Sequence, residues 1–299
     1  MRRSRRALFV LVLFAAIPVG GCGSDEDSSE GLSDRLVDFS KKPPYVNSLE
    51  LDPSGDELLM TTNRGFFRID PETDEVRRQR GTITAEGKTS TVGTFLEIKY
   101  AAPGELIGSG HPDQRTLPSF LGFIRSDDDG ESWRVVSRLG IADLHKIVLK
   151  HDRMYAWDAV LSALIVSDDG GRTFAEHFTP RGLIIDFDVD PVDPARVVAA
   201  TDEQVFRSED EGEGWRPLVA AEGARLAWPE ADALYRADKD GSVFRSETGG
   251  DDWDLVGEVT GEPYKIEPVS ADELYIALSD GTIAHTTDGG DNWEYVFRP

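Results

Sequence analysis

The feature that most constrains this chain is a short turn written five times: SDDDGESW from Ser126, SDDGGRTF from Ser167, SEDEGEGW from Ser208, SETGGDDW from Ser246 and TTDGGDNW from Thr286. The copies start 41, 41, 38 and 40 residues apart. Between them lie short β-rich runs. The pair VVAATDEQVFRS recurs as ALYRADKDGSVFRS, ELYIALSDGTIAHT and ELLMTTNRGFFRID. The last of these, at residues 57–70, precedes all five turns, so it marks a further repeat whose turn, DPETDEV, has lost the pattern. A period near 40 made of four short strands is a unit that cannot bury its faces alone and must pack on copies of itself around an axis. The expectation is an all-β fold, a single β-propeller over residues 45–299 with six blades rather than seven.

Each position of the turn has a physical task. Asp128, Asp169, Asp210 and Asp288 can accept hydrogen bonds from amides of their own turn, whereas the fourth copy has Thr248 there. Gly130, Gly171, Gly212, Gly250 and Gly290 permit positive φ. Trp133, Trp215, Trp253 and Trp293, with Phe174, begin the next strand and are expected to wedge between neighbouring blades. The pattern S/T-x-D-x-G-x-x-W/F resembles the Asp-box, or BNR repeat, of sialidases, sortilin-type receptors and photosystem assembly propellers. That resemblance implies structural turns on one face of the ring. A calcium loop is the rival reading of DDD and SEDE, but one eight-residue turn holds too few converging oxygens. No metal and no cofactor is expected.

The first 22 residues, MRRSRRALFVLVLFAAIPVGGC, run from a basic stretch through an apolar segment, Ala7 to Val19, to small residues. This is the layout of a signal peptide, and 13 apolar residues fall short of the ~20 that span a bilayer as a helix. Val19-Gly20-Gly21-Cys22 resembles the bacterial lipobox, which implies cleavage before Cys22 and diacylation of its thiol; Ser4-Arg5-Arg6-Ala7-Leu8 also resembles a twin-arginine export signal. Cys22 is the only cysteine, so it has no internal disulfide partner. The expected organisation is a leader over 1–21, an acidic tether over 22–44 and the propeller. The chain is expected to be exported and held by lipid at the outer face of the cytoplasmic membrane or in the cell envelope. Without the leader's four arginines, 28 basic residues face 56 acidic ones. A surface at −28 repels nucleic acid, so none is expected as a partner.

If the acidic turns occupy one face, ligands belong to the other, where the blade links and the loops between second and third strands lie. Candidates there for ligand binding are His111, Asp113, Arg115, His145, Tyr155, Trp157 and Asp158. The loop from Gly108 to Phe120 departs most from the repeat and is expected to shape the site. Candidates for catalysis are Asp113, Asp143 and Asp158, any two of which would serve glycoside hydrolysis, and Tyr264, flanked by Glu262 and Glu267, as a sialidase-like nucleophile. For that chemistry Arg64, Arg115 and Arg181 would have to gather above the axis. Asp202, Asp238 and Asp280 are expected to form tight turns. The leading expectation is a binding module for an envelope protein or glycan; the alternative is a glycoside hydrolase.

Overall fold

A computed structural model describes residues 44–73 and 75–299. Leader, Cys22 and nearly all of the tether lie outside the described residues. Among the described residues, twenty-six strands form six sheets. Blade 1 is β1 (Val46–Leu51), β2 (Leu58–Thr62), β3 (Gly65–Ile69) and β4 (Val76–Gln79). Blade 2 contains β5 (Gly81–Ala85), β6 (Lys88–Val92), β7 (Leu96–Ala102), β8 (Glu105–Gly110), β9 (Phe123–Ser126) and β10 (Ser132–Ser137). Blade 3 is β11 (Leu144–Lys150), β12 (Arg153–Asp158), β13 (Ala163–Ser167) and β14 (Ala175–His177). Blade 4 is β15 (Ile184–Val189), β16 (Val197–Thr201), β17 (Gln204–Ser208) and β18 (Arg216–Ala220). Blade 5 is β19 (Arg225–Glu230), β20 (Ala233–Ala237), β21 (Ser242–Ser246) and β22 (Asp254–Glu258). Blade 6 is β23 (Pro263–Pro268), β24 (Leu274–Leu278), β25 (Ile283–Thr286) and β26 (Glu294–Phe297).

The core is divided among six interfaces between blades rather than pooled in one centre. At each, the apolar face of one blade meets that of the next, as where Val148 and Tyr155 of blade 3 pack with Ile184 and Phe187 of blade 4. The ring closes in the same way. Val46, Leu49, Met60 and Phe67 of blade 1 pack on Tyr275, Ala277, Ile283 and Phe297 of blade 6, and no strand is exchanged between the two sheets.

The acidic turns hold together as their residue types require. In the first, Ser126 Oγ accepts from Gly130 N (2.8 Å) and Asp128 Oδ1 accepts from Ser132 N (2.8 Å). Asp169, Asp210 and Asp288 repeat the second bond at 2.9, 2.8 and 2.9 Å. Thr248 supplies a single hydroxyl acceptor, to Asp252 N at 2.9 Å. These carboxylates are thus spent inside their own turns, and no group of three or more His, Cys, Asp or Glu among the described residues is arranged to hold a metal ion. Of the aromatics, Trp133 is buried between blades 1 and 2 and donates Nε1 to Gly130 O (3.0 Å). Phe174, Trp215, Trp253 and Trp293 also sit at blade interfaces, but only half-buried.

Blade 2 carries two insertions. Residues 81–93 form the β5–β6 hairpin, which extends the blade to six strands by parallel pairing of β5 with β10. In the second, the loop from Gly108 to Phe120 that is expected to shape the ligand site, residues 113–116 also cover the open edge of β6. Asp113 N donates to Thr91 O (2.9 Å) and Thr116 Oγ1 to Thr89 O (3.1 Å). An exposed strand edge invites unwanted pairing, and covering it is the architectural purpose of this insertion.

Candidate functional site

The strand starts of the ring meet at one mouth of its central channel. In β1, β11, β15 and β23 the pairing with the next strand slips by one residue, between Val46 and Ser48, Leu144 and Lys146, Ile184 and Asp186, and Pro263 and Lys265. Such a bulge turns one side chain out of the strand's alternation. The bulged residues are Asn47, His145, Ile185 and Tyr264, and all four line a bowl of about 620 Å³ on the face opposite the acidic turns. Tyr45, Phe95, His111, Asp143, Trp157, Leu183 and Arg225 also line it.

One wall comes from blades 2 and 3. Asp143 Oδ2 lies 3.0 Å from His145 Nε2 and 3.6 Å from His111 Nε2. His111 Nδ1 is 2.7 Å from Ser119 O, so it donates there. Burial works against the Asp143 carboxylate, but His111 and His145 beside it prevail and hold its pKa well below the usual range. The neighbouring Asp143 carboxylate raises the pKa of His111 in turn. Phe95 and Phe120 flank the His111 ring, with centroids at 6.1 and 5.6 Å.

The facing wall comes from blades 5, 6 and 1. Tyr264 and Tyr45 meet edge to face at 4.9 Å, and the Arg225 guanidinium lies 5.0 Å from the Tyr264 ring centre. Burial, with Tyr45 adding to it, pushes the Tyr264 hydroxyl up to about 12.

Below the bowl the channel is lined by charged side chains from five inner strands. Lys265 pairs with Glu97 (3.0 Å) and Lys146 with Asp186 (3.0 Å); deeper, Lys99 pairs with Glu50 (2.9 Å) and Glu267 (3.3 Å), and Lys150 with Asp188 (2.7 Å). β19 brings no charge of its own to this network and contributes backbone instead: Trp228 N donates to Asp188 and Trp228 O accepts from Lys150. Burial, reinforced by Glu50, pushes Glu267 up to about 8. Burial lowers the Lys150 pKa, whereas on Lys99 the two carboxylates outweigh it and raise the pKa.

His111, Asp143, His145, Trp157 and Tyr264 are therefore brought together, and four other expected site residues are not. Asp113 accepts from Thr91 Oγ1 (3.0 Å) and Thr94 Oγ1 (2.7 Å) at the hairpin. Arg115 is exposed and lines no part of the bowl. Tyr155 is buried between blades 3 and 4. Asp158 is fully buried and ties a turn, accepting from Val160 N (3.0 Å) and Arg138 (3.2 Å). Glu267 lies in the channel, away from Tyr264's wall, and Arg64 and Arg181 do not line the bowl. Asp202, Asp238 and Asp280 stand at their turns, as Asp280 accepting from Thr282 N (2.8 Å) illustrates. Sequence reasoning missed Arg225, Tyr45 and Phe95. The signal was available: each stands at or just before the start of an inner strand, and in a closed ring those starts converge.

No protein-family model and no curated relative matches the chain. Among solved structures it is similar to YCF48 bound to D1 peptide, at 17% identity over 85% of this chain and 80% of that one, with a TM-score of 0.56. It is similar to the GH74 xyloglucanase of Xanthomonas campestris at 18% identity over 84% of this chain and 38% of the enzyme, with a TM-score of 0.55. A chain of the nidogen/laminin complex matches at 13% identity over 81% of this chain and 93% of that one, with a TM-score of 0.57. At these identities the likeness is one of fold, and with the six sheets above it makes the chain a six-bladed β-propeller.

Proposed function

We propose that this chain is an exported lipoprotein whose propeller captures a segment of a partner protein in the bowl. On this reading the five acidic turns are Asp-boxes that fasten the blades on the far face. The bowl and its rim carry the proposal. Tyr45, Phe95 and Leu183 line it while 53, 45 and 61% exposed, and Ile141 and Val160 stand exposed on the same face. An apolar surface rimmed by polar groups marks an interaction site. A polypeptide offers apolar side chains to that rim, and backbone donors and acceptors to Asn47 and His145. The same fold is found with a D1 peptide in YCF48 and within a nidogen/laminin complex, which supports a protein ligand. Lipid on Cys22 would keep the bowl beside envelope proteins; Cys22→Ala should move the chain from the detergent to the aqueous phase on partitioning.

Glycoside hydrolysis is less favoured by the side chains present. Tyr264 faces Tyr45 and Arg225 rather than a base, and its hydroxyl is pushed up, against the activation a nucleophile needs. Asp143, Glu97 and Asp186 are each already engaged by His or Lys. The test is to pan a random peptide library on the purified protein and measure the selected peptides on Leu183→Asp and Tyr264→Ala. Either variant should weaken binding by about tenfold or more. Undiminished binding, or turnover of fluorogenic glycosides abolished by Asp143→Asn, would overturn the reading.

A further inference from the structure

The ion pairing of this propeller leaves one cation over at the bowl. Among the described residues, every other buried or half-buried arginine except Arg64, which lines no part of the bowl, has a carboxylate within 4 Å, as Arg138 has Asp158, Arg153 has Glu211 and Arg207 has Asp251. Arg225, at the start of β19, is half-buried and lines the bowl, and no carboxylate lies within 4 Å of it among the described residues. One terminal nitrogen, Nη1, donates to Ile185 O (3.2 Å); Nε is shut off from solvent with no partner; the guanidinium packs over Tyr264. The acids of the bowl offer nothing to it, because Asp143 is held by two histidines, Glu97 by Lys265 and Asp186 by Lys146. In a chain with 24 more acidic than basic residues, a half-buried guanidinium without a carboxylate stands out. A cation withdrawn from water without a partner is costly, and a carboxylate partner with charge-assisted hydrogen bonds offsets that cost.

We propose that Arg225 is a carboxylate subsite: the captured segment presents one carboxylate to its free Nη2 end, with the Tyr264 phenol as a neighbouring donor. This deepens the peptide-binding reading and rests on it. Two sources carry the same chemistry, the α-carboxylate of a chain end and an Asp or Glu side chain. The bowl favours the chain end, since it narrows below into the charge-filled channel and a segment that enters must leave by the same mouth.

The probes are the peptides selected by panning, each synthesised as the free acid, as the C-terminal amide, and with Asp and Glu replaced by Asn and Gln. Binding is read by fluorescence polarisation on the wild type, Arg225→Gln and Arg225→Lys. Removing the recognised carboxylate should weaken binding to the wild type by about 10- to 100-fold and leave binding to Arg225→Gln unchanged, with Arg225→Lys retaining part of the affinity. Sensitivity to amidation alone assigns the chain end; sensitivity to Asn or Gln alone assigns the side chain. Equal binding of all three forms to the wild type overturns the carboxylate subsite, yet leaves peptide capture standing if Leu183→Asp still abolishes it. Failure to select any peptide overturns both, since the subsite is proposed for a carboxylate of a captured segment. Since the peptide series is read on the wild type, the test survives a variant that folds poorly.

Discussion

Replacing Gly171 by Ala isolates what the acidic turn does at a blade interface. At this glycine φ is +81°, and an added Cβ would lie 2.2 and 2.3 Å from Phe123 Cε1 and Cδ1 and 2.7 Å from Met154 Cε. Phe123 is buried, so its ring has no room to retreat. Gly87, at the tip of the β5–β6 hairpin, has nearly the same backbone, φ +73°, but nothing within 4 Å of an added Cβ. Both alanines incur the left-handed cost of roughly 1–2 kcal/mol. Only Gly171→Ala adds the cost of overpacking a filled core, typically ~1–3 kcal/mol. The expected destabilisation is therefore about 2–5 kcal/mol at Gly171 and about 1–2 kcal/mol at Gly87. Urea unfolding followed by tryptophan fluorescence gives both from the shift in midpoint at constant slope. Equal losses would refute the argument that the turn glycine is required by the neighbouring blade as well as by its own backbone.

Trp133→Ala should cost about 3–5 kcal/mol, the range for a buried large aromatic, and Trp293→Ala clearly less, since Trp293 is half-buried with its Nε1 unpaired; matching midpoints would contradict the burial difference. Lys150→Met should cost about 3 kcal/mol, because it strips Asp188 of its ammonium partner in the channel, and Asp188→Asn in the same chain should recover part of the loss; a Lys150→Met variant as stable as wild type would sink this. The pKa of His111 is raised in the folded state, so its contribution is full below the unfolded value near 6.5 and is lost as pH rises through the folded value. The stability gap between wild type and His111→Gln should accordingly shrink over that window, and a gap constant from pH 5 to 9 would rule the ion pair with Asp143 out as its source.

What could be read before the fold was known followed from how local each signal is. The turn spacing carried the blade number because each blade is built from one contiguous segment, and the Asp, Gly and aromatic positions named their own backbone roles. Apolar and polar residues alternate in residues 96–100 and 185–190, which marks strands with two unlike faces but does not show that Glu97, Lys99, Asp186 and Asp188 each meet a counterion, because alternation by itself does not say whether the polar side meets water or a channel. The parallel pairing of β5 with β10 links residues some fifty apart and left no local trace. The site was half visible for the same reason. His111, Asp143, His145, Trp157 and Tyr264 stand where strand starts and second strands bring them to the mouth. Tyr155 and Asp158 failed as candidates because strand alternation and a buried turn turned them inward, and Asp113 because its oxygens satisfy the hairpin threonines. The one-residue slips that aim His145 and Tyr264 depend on pairing with the next strand, which composition does not reveal.

The central claim is that the ligand sits in the bowl, on the face away from the acidic turns. Hydrogen–deuterium exchange of the protein with and without a selected peptide tests it directly. The account predicts slowed exchange at the strand starts, residues 45–48, 143–147, 183–187, 225–227 and 263–266, with the acidic turns unchanged. Protection confined to residues 126–133, 167–174, 208–215, 246–253 and 286–293, with the bowl unaffected, would contradict it.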